Sequence, residues 1–258
     1  IMKKVIFYLP VLILLISCSQ EEQDYSCNPM INFAVKENLS TAKELNRSEW
    51  LQLQEDFKIP VYRTFSETKK LIFWKEKFAE VKKLRWSPKE LKHIISAEHF
   101  LYKYPQILSC ETASDDILNK RDLFIHEWTE YAMNKLKWNK ATIISIVACG
   151  NKVVNTKGYI EIVKKGKLFH YSDRRFNTMS LEDGDTLDVD TTDYNIPDIP
   201  NNTDTTGIAE PYTCHCNKDN LIDFCTPGTI CGNSIIKCTG SLDGCGWFLG
   251  EPCNGICL

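Results

Sequence analysis

Eight of the twelve cysteines in this chain fall within residues 214–258: Cys214, Cys216, Cys225, Cys231, Cys238, Cys245, Cys253 and Cys257. Thiols at this density do one of two things: they bridge, or they hold a metal. Cys214-His215-Cys216 offers ligand types for zinc, but no cysteine pair in the tail has the two-residue spacing that lets one turn grip an ion. Disulfides are therefore expected, with no metal. The same segment holds seven of the chain's twelve glycines and few large apolar side chains, so burial alone cannot hold it. Four bridges at about 2–4 kcal/mol each would. Besides Cys18, the cysteines Cys27, Cys110 and Cys149 remain, and one pair plus one free thiol is expected among these three, the pair left open.

No other constellation reads as reactive. His126-Glu127-Trp128-Thr129-Glu130 is half of a helical zinc-protease signature, but glutamate stands where the second imidazole must be. His93, His99 and His170 have no partners at ligand or triad spacing. No nucleophile elbow, papain-like cysteine context or phosphate loop is present. The reading is of a non-enzyme with no catalytic residue and no cofactor.

Disulfides require an oxidising compartment, and the other end of the chain supplies the route. Lys3 and Lys4 precede an apolar run from Val5 to Ile16 that ends at Ser17-Cys18. That is the layout of a secretory signal, read here over 1–17, and the run is too short to span a bilayer. Leu15 to Cys18 resembles a bacterial lipobox, so Cys18 is the expected lipidation site. The acidic Ser19 to Asp24 is similar to the export tags of surface lipoproteins and opens a tether over 18–37. The expected location is the outer membrane and cell surface, held by lipid, with release to the medium.

Residues 38–175 carry helical signals. Ser87-Pro88-Lys89-Glu90 combines a capping serine, a first-turn proline and a capping-box glutamate, with Trp86 and Leu91 as a staple. Ser48-Glu49, Ser66-Glu67 and Asn139 mark further starts. Leu71, Trp74, Phe78 and Val81, then Ile117, Phe124, Trp128 and Ala132, form buried stripes. Residues 157–175 alternate around Lys164-Lys165-Gly166-Lys167, which predicts a β-hairpin. From Lys36 to Arg175 there are 27 basic against 18 acidic side chains, a surplus of nine; residues 176–213 carry nine acids and no base. That segment has linker composition. The fold class is thus a mainly α N-terminal domain plus a small disulfide-rich, loop/β C-terminal domain over 214–258. The basic body favours anionic partners such as lipopolysaccharide; nucleic acid is not expected.

In the tail, Cys214, Cys216, Cys225, Cys231, Cys238, Gly244-Cys245-Gly246-Trp247, then Cys253-Asn254-Gly255 and Cys257 resemble the fulvocin C-type bacteriocins. Phe65 to Trp86 is similar to the helical region of lipoproteins related to that family. The resemblance implies a disulfide-bonded antimicrobial toxin acting on the envelope of related bacteria, through lipopolysaccharide or an outer-membrane protein.

Trp247, Phe248 and Leu249 are expected as an exposed apolar tip that contacts the target. Arg174-Arg175, at the seam between basic body and acidic segment, is the expected cut for an activating protease. The alternatives are a disulfide-rich protease inhibitor and a surface lipoprotein that binds a glycan or a protein.

Overall fold

The computed structural model describes residues 23–26, 28–109, 113–162, 231–233, 244–251, 253 and 255–257. Cys18, Cys27, Cys110, Lys164–Lys167, Arg174, Arg175, the acidic segment and Cys214, Cys216, Cys225 and Cys238 lie outside these residues.

The described chain is mainly helical. Asn28 accepts hydrogen bonds from the Met30 and Ile31 amides, and Pro29 opens α1, Pro29–Glu37. This helix packs on α4 and buries Ile31, Ala34 and Val35. The expected tether over 18–37 is corrected here: its second half is core-forming helix, because three apolar residues share one face. Helix α2 spans Leu39–Glu44. Helix α3, Arg47–Trp50, is capped two residues earlier than expected, by Asn46 in a reciprocal box with Glu49 rather than by Ser48.

Helix α4, Glu55–Arg63, and α5, Glu67–Val81, form the centre of the body. Ser66 caps α5, and Trp74, Phe78 and Val81 are buried along it, as the stripe predicts. In α6, Pro88–Lys103, the Ser87–Glu90 capping box is present in both directions. A 3-10 turn, Pro105–Leu108, buries Ile107 and Leu108. Helix α7, Asp115–Asn134, turns Ile125, Trp128 and Ala132 inward, and Asn139 caps α8, Lys140–Val147.

Val153 pairs with Ile160 across a turn at Asn155–Gly158; this is not the hairpin expected over 157–175, whose turn at Lys164–Lys167 lies outside the described residues. Farther along, β1, Cys231–Asn233, pairs antiparallel with β2, Gly255–Cys257, and Cys231 stands opposite Cys257 in the register. Among the described residues no helix is long and apolar enough to cross a membrane.

Candidate functional site

The segment Gly244–Glu251 sets the site. Cys245 and Glu251 exchange backbone hydrogen bonds at 3.0 Å in both directions, which folds the segment into a loop. A disulfide from Cys245 to Cys253, with Cα atoms 5.2 Å apart, fixes its neck. Inside the loop the Gly244 amide donates to the Leu249 carbonyl at 2.8 Å, and the Gly250 amide to Trp247 at 3.0 Å. Turning the chain this tightly puts Gly246, Phe248 and Leu249 at φ of 65°, 53° and 55°. For two bulky L-residues that costs about 1–2 kcal/mol each.

What offsets the strain is burial. Trp247, Phe248 and Leu249 are 0 %, 0 % and 4 % exposed and belong to the same apolar core as the helices. At roughly 1.5–3 kcal/mol for each large side chain withdrawn from water, burial outweighs the backbone cost. The expected exposed tip is thereby corrected. The glycines and bridges leave no core within the loop, and the apolar residues find one in the helical body instead.

The body receives them with matched groups. The Phe248 carbonyl accepts from Trp74 Nε1 at 2.8 Å and from Tyr62 Oη at 2.9 Å, all buried. The Phe248 ring meets Trp74 edge-on at 5.2 Å and lies 6.1 Å from Phe78. Trp247 stands edge-on to Trp128 at 5.1 Å and to Phe124 at 6.1 Å. Gly250 passes so close to the 3-10 turn that a Cβ there would lie 2.0 Å from the Ile107 carbonyl oxygen. The fit is not complete: Trp247 Nε1 is buried with no hydrogen-bond partner among the described residues, at a cost of about 1–3 kcal/mol.

Elsewhere the buried polar groups tie the body together. Arg47 donates to Glu80 at 2.8 Å and to the Gly150 carbonyl at 3.1 Å. Lys58 bridges Glu55 and Asn151, and Lys77 donates to the Asn151 carbonyl. Burial pushes Lys77 down to about 8. Behind Trp247, His93 stacks on Trp128 at 4.2 Å; its Nε2 lies 3.0 Å from the Trp128 carbonyl, while Trp128 Nε1 donates to the His93 carbonyl at 3.0 Å. Burial lowers His93 to about 4. His126, Glu127 and Glu130 are all exposed on α7, and Glu130 accepts from Asn134. The described residues contain no group of three or more side chains placed to hold a metal.

Of the expected site residues, the structure joins Cys245 to Cys253 and seats Trp247, Phe248 and Leu249 against α5 and α7. Cys149 is a free thiol. Sequence reasoning missed Tyr62 and Trp74 as the donors that hold Phe248. Trp74 is legible as core, but nothing local says that its partner lies 174 residues away. No protein-family model, no curated protein and no solved structure matches the chain.

Proposed function

We propose that the chain is a non-enzymatic, exported antimicrobial protein, lipid-anchored through Cys18, whose cysteine-rich tail is the active part. The tail is carried latent: the helical body sequesters the apolar residues that the free tail would present to a target envelope. The observation that supports this reading is the seating of Trp247, Phe248 and Leu249 in the body's core while the loop that carries them is closed by its own disulfide. A loop with its own covalent neck keeps its shape when it leaves its seat. Cutting at Arg174-Arg175 would sever the body from the tail and allow that departure.

The test uses a full-length chain with a specific protease site in place of Arg174-Arg175, applied to lawns of related strains before and after cutting. The cut chain clears the lawn and the intact chain does not. Equal clearing by both, or none by either, removes latency from the account; tight inhibition of a protease without clearing points to the inhibitor reading instead.

A second reading rests on the two hydrogen bonds to the Phe248 carbonyl. If the loop is a permanent brace, the protein is a surface lipoprotein that binds a glycan or a protein with its body. Under that reading, cutting at the seam leaves body and tail associated on gel filtration, and no lawn is cleared.

A further inference from the structure

Two turns meet at one end of the helical body. The α5–α6 turn brings Trp86, and the α7–α8 turn brings Trp138; their rings lie 5.4 Å apart. Glu90 at the start of α6 accepts from Trp138 Nε1 at 2.8 Å, and the His93 ring lies 5.6 Å from that of Trp138, so the two turns are locked as one surface. Around this lock stand Lys83, Arg85, Lys89, Lys92, Lys135 and Lys137, all exposed. None of the six makes an ion pair among the described residues, although lysines elsewhere do, as Lys82 does with Glu98 and Lys120 with Asp116. Of the nearby acids, Glu90 is engaged by Ser87 and Trp138 and Glu130 by Asn134; exposed Glu127, one turn before Tyr131, offsets one of the six cations and leaves this end net positive.

Two further features set this end apart from a merely solvated surface. Tyr131, against His93 at 4.9 Å, is 44 % exposed beside the cations. Apolar and aromatic groups interleaved with lysine and arginine are what an interfacial membrane contact requires. Lys137 has a left-handed backbone, φ 59°, a conformation that glycine adopts without strain and lysine does not. A cation at a glycine's place is a local cost that the fold does not need.

We propose that this Trp86–Trp138 end is a docking surface for an anionic phospholipid bilayer, with the six cations set against lipid phosphates and Tyr131 at the interface. The inference does not depend on the tail being a toxin.

The experiment is co-sedimentation of the full chain, carrying Cys18→Ala to remove the acyl anchor, with vesicles of phosphatidylglycerol and phosphatidylcholine or of phosphatidylcholine alone. The chain binds the anionic vesicles and not the neutral ones. A Lys83→Glu, Lys89→Glu, Lys135→Glu variant binds at least on the order of 100-fold more weakly, since loss of each basic side chain near an anionic surface costs about fivefold and the added carboxylates repel it further. A Lys43→Glu, Lys103→Glu, Lys120→Glu variant makes the same charge change toward the opposite ends of the helices and keeps its affinity. Lys137→Gly guards against misfolding: it binds several-fold more weakly while its melting temperature rises. Equal losses in the two triple variants, or no preference for anionic vesicles, overturn the proposal. Displacement by inorganic phosphate, beyond a chloride control of equal ionic strength, would make free phosphate the ligand and also overturns it. So does binding that emerges only when the nine acids of 176–213 are neutralised, because the chain's own acidic segment would then be the occupant.

Discussion

Trp74 donates its indole N–H to the carbonyl of Phe248 at 2.8 Å while the two rings meet edge-on at 5.2 Å, so one side chain of α5 satisfies both the polar and the apolar half of a residue in the tail. Tyr62 Oη donates to the same carbonyl and lies 3.0 Å from Trp74 Nε1. The two donors are therefore partly redundant. Trp74→Phe keeps a ring and leaves Tyr62 in place, and costs the hydrogen bond plus some packing, about 1–2 kcal/mol. The double variant with Tyr62→Phe leaves a buried carbonyl bare and costs more than the two single variants summed. Thermal melts of the single and double variants measure this coupling. Strict additivity would mean that the two donors do not share the carbonyl.

Gly250 is the tightest point of contact between loop and body. With 2.0 Å to the Ile107 carbonyl oxygen, a methyl group there has no room, since both sides of the clash are backbone. Gly250→Ala is expected to unseat the loop, lower the melting temperature and open 244–251 to protease, without breaking the Cys245–Cys253 bridge. Peptide mapping under non-reducing conditions reads the bridge and the cut sites together. An alanine variant as protease-resistant as the parent contradicts this close approach.

The Cys245–Cys253 bridge has a different role, which is to shape the loop rather than to anchor it. Its separation of eight residues corresponds to about 2–3 kcal/mol of chain entropy removed from the unfolded state. Cys245→Ser, Cys253→Ser is expected to weaken the seated loop by that order and to leave α5 and α6 helical. Circular dichroism with limited proteolysis distinguishes this from collapse of the whole body.

Acid should loosen the contact between α6 and α7 on which Trp247 rests. His93 is ordinarily at 6.5, and burial against Trp128 holds it near 4 in the folded chain. Its contribution is fully present above about pH 6.5. Between there and about pH 4 the unfolded chain takes up a proton that the folded chain resists, so stability falls as pH drops. His93→Gln, which can still donate to the Trp128 carbonyl, is expected to flatten the melting-temperature slope across that window. An unchanged slope would place the acid sensitivity elsewhere.

Local signals made the helices legible. The Ser87–Glu90 box, Ser66 and Asn139 name their own helix starts, because caps are chemistry between neighbours. The stripe Trp74, Phe78, Val81 names its own buried face for the same reason. The destination of Trp247, Phe248 and Leu249 was not legible. In a tail rich in glycine and cysteine they have no local core, and sequence alone cannot say whether water, a membrane or a distant helix covers them. Helix α1 was missed because acidic flanking composition suggested a tether, whereas the Asn28 cap and the spacing of Ile31, Ala34 and Val35 were already helical signals.

Trp247 and Phe248 are sequestered in the intact chain. Hydroxyl-radical footprinting read residue by residue in a mass spectrometer tests it directly, with Tyr159, 65 % exposed, as the internal reference. In the intact protein Trp247 and Phe248 should stay unlabelled while Tyr159 is modified rapidly, and cutting between Arg175 and Phe176 followed by exposure to target cells should bring Trp247 up to the rate of an exposed residue. Labelling of Trp247 in the intact chain as fast as an exposed aromatic would contradict the seated tail and, with it, the latent state.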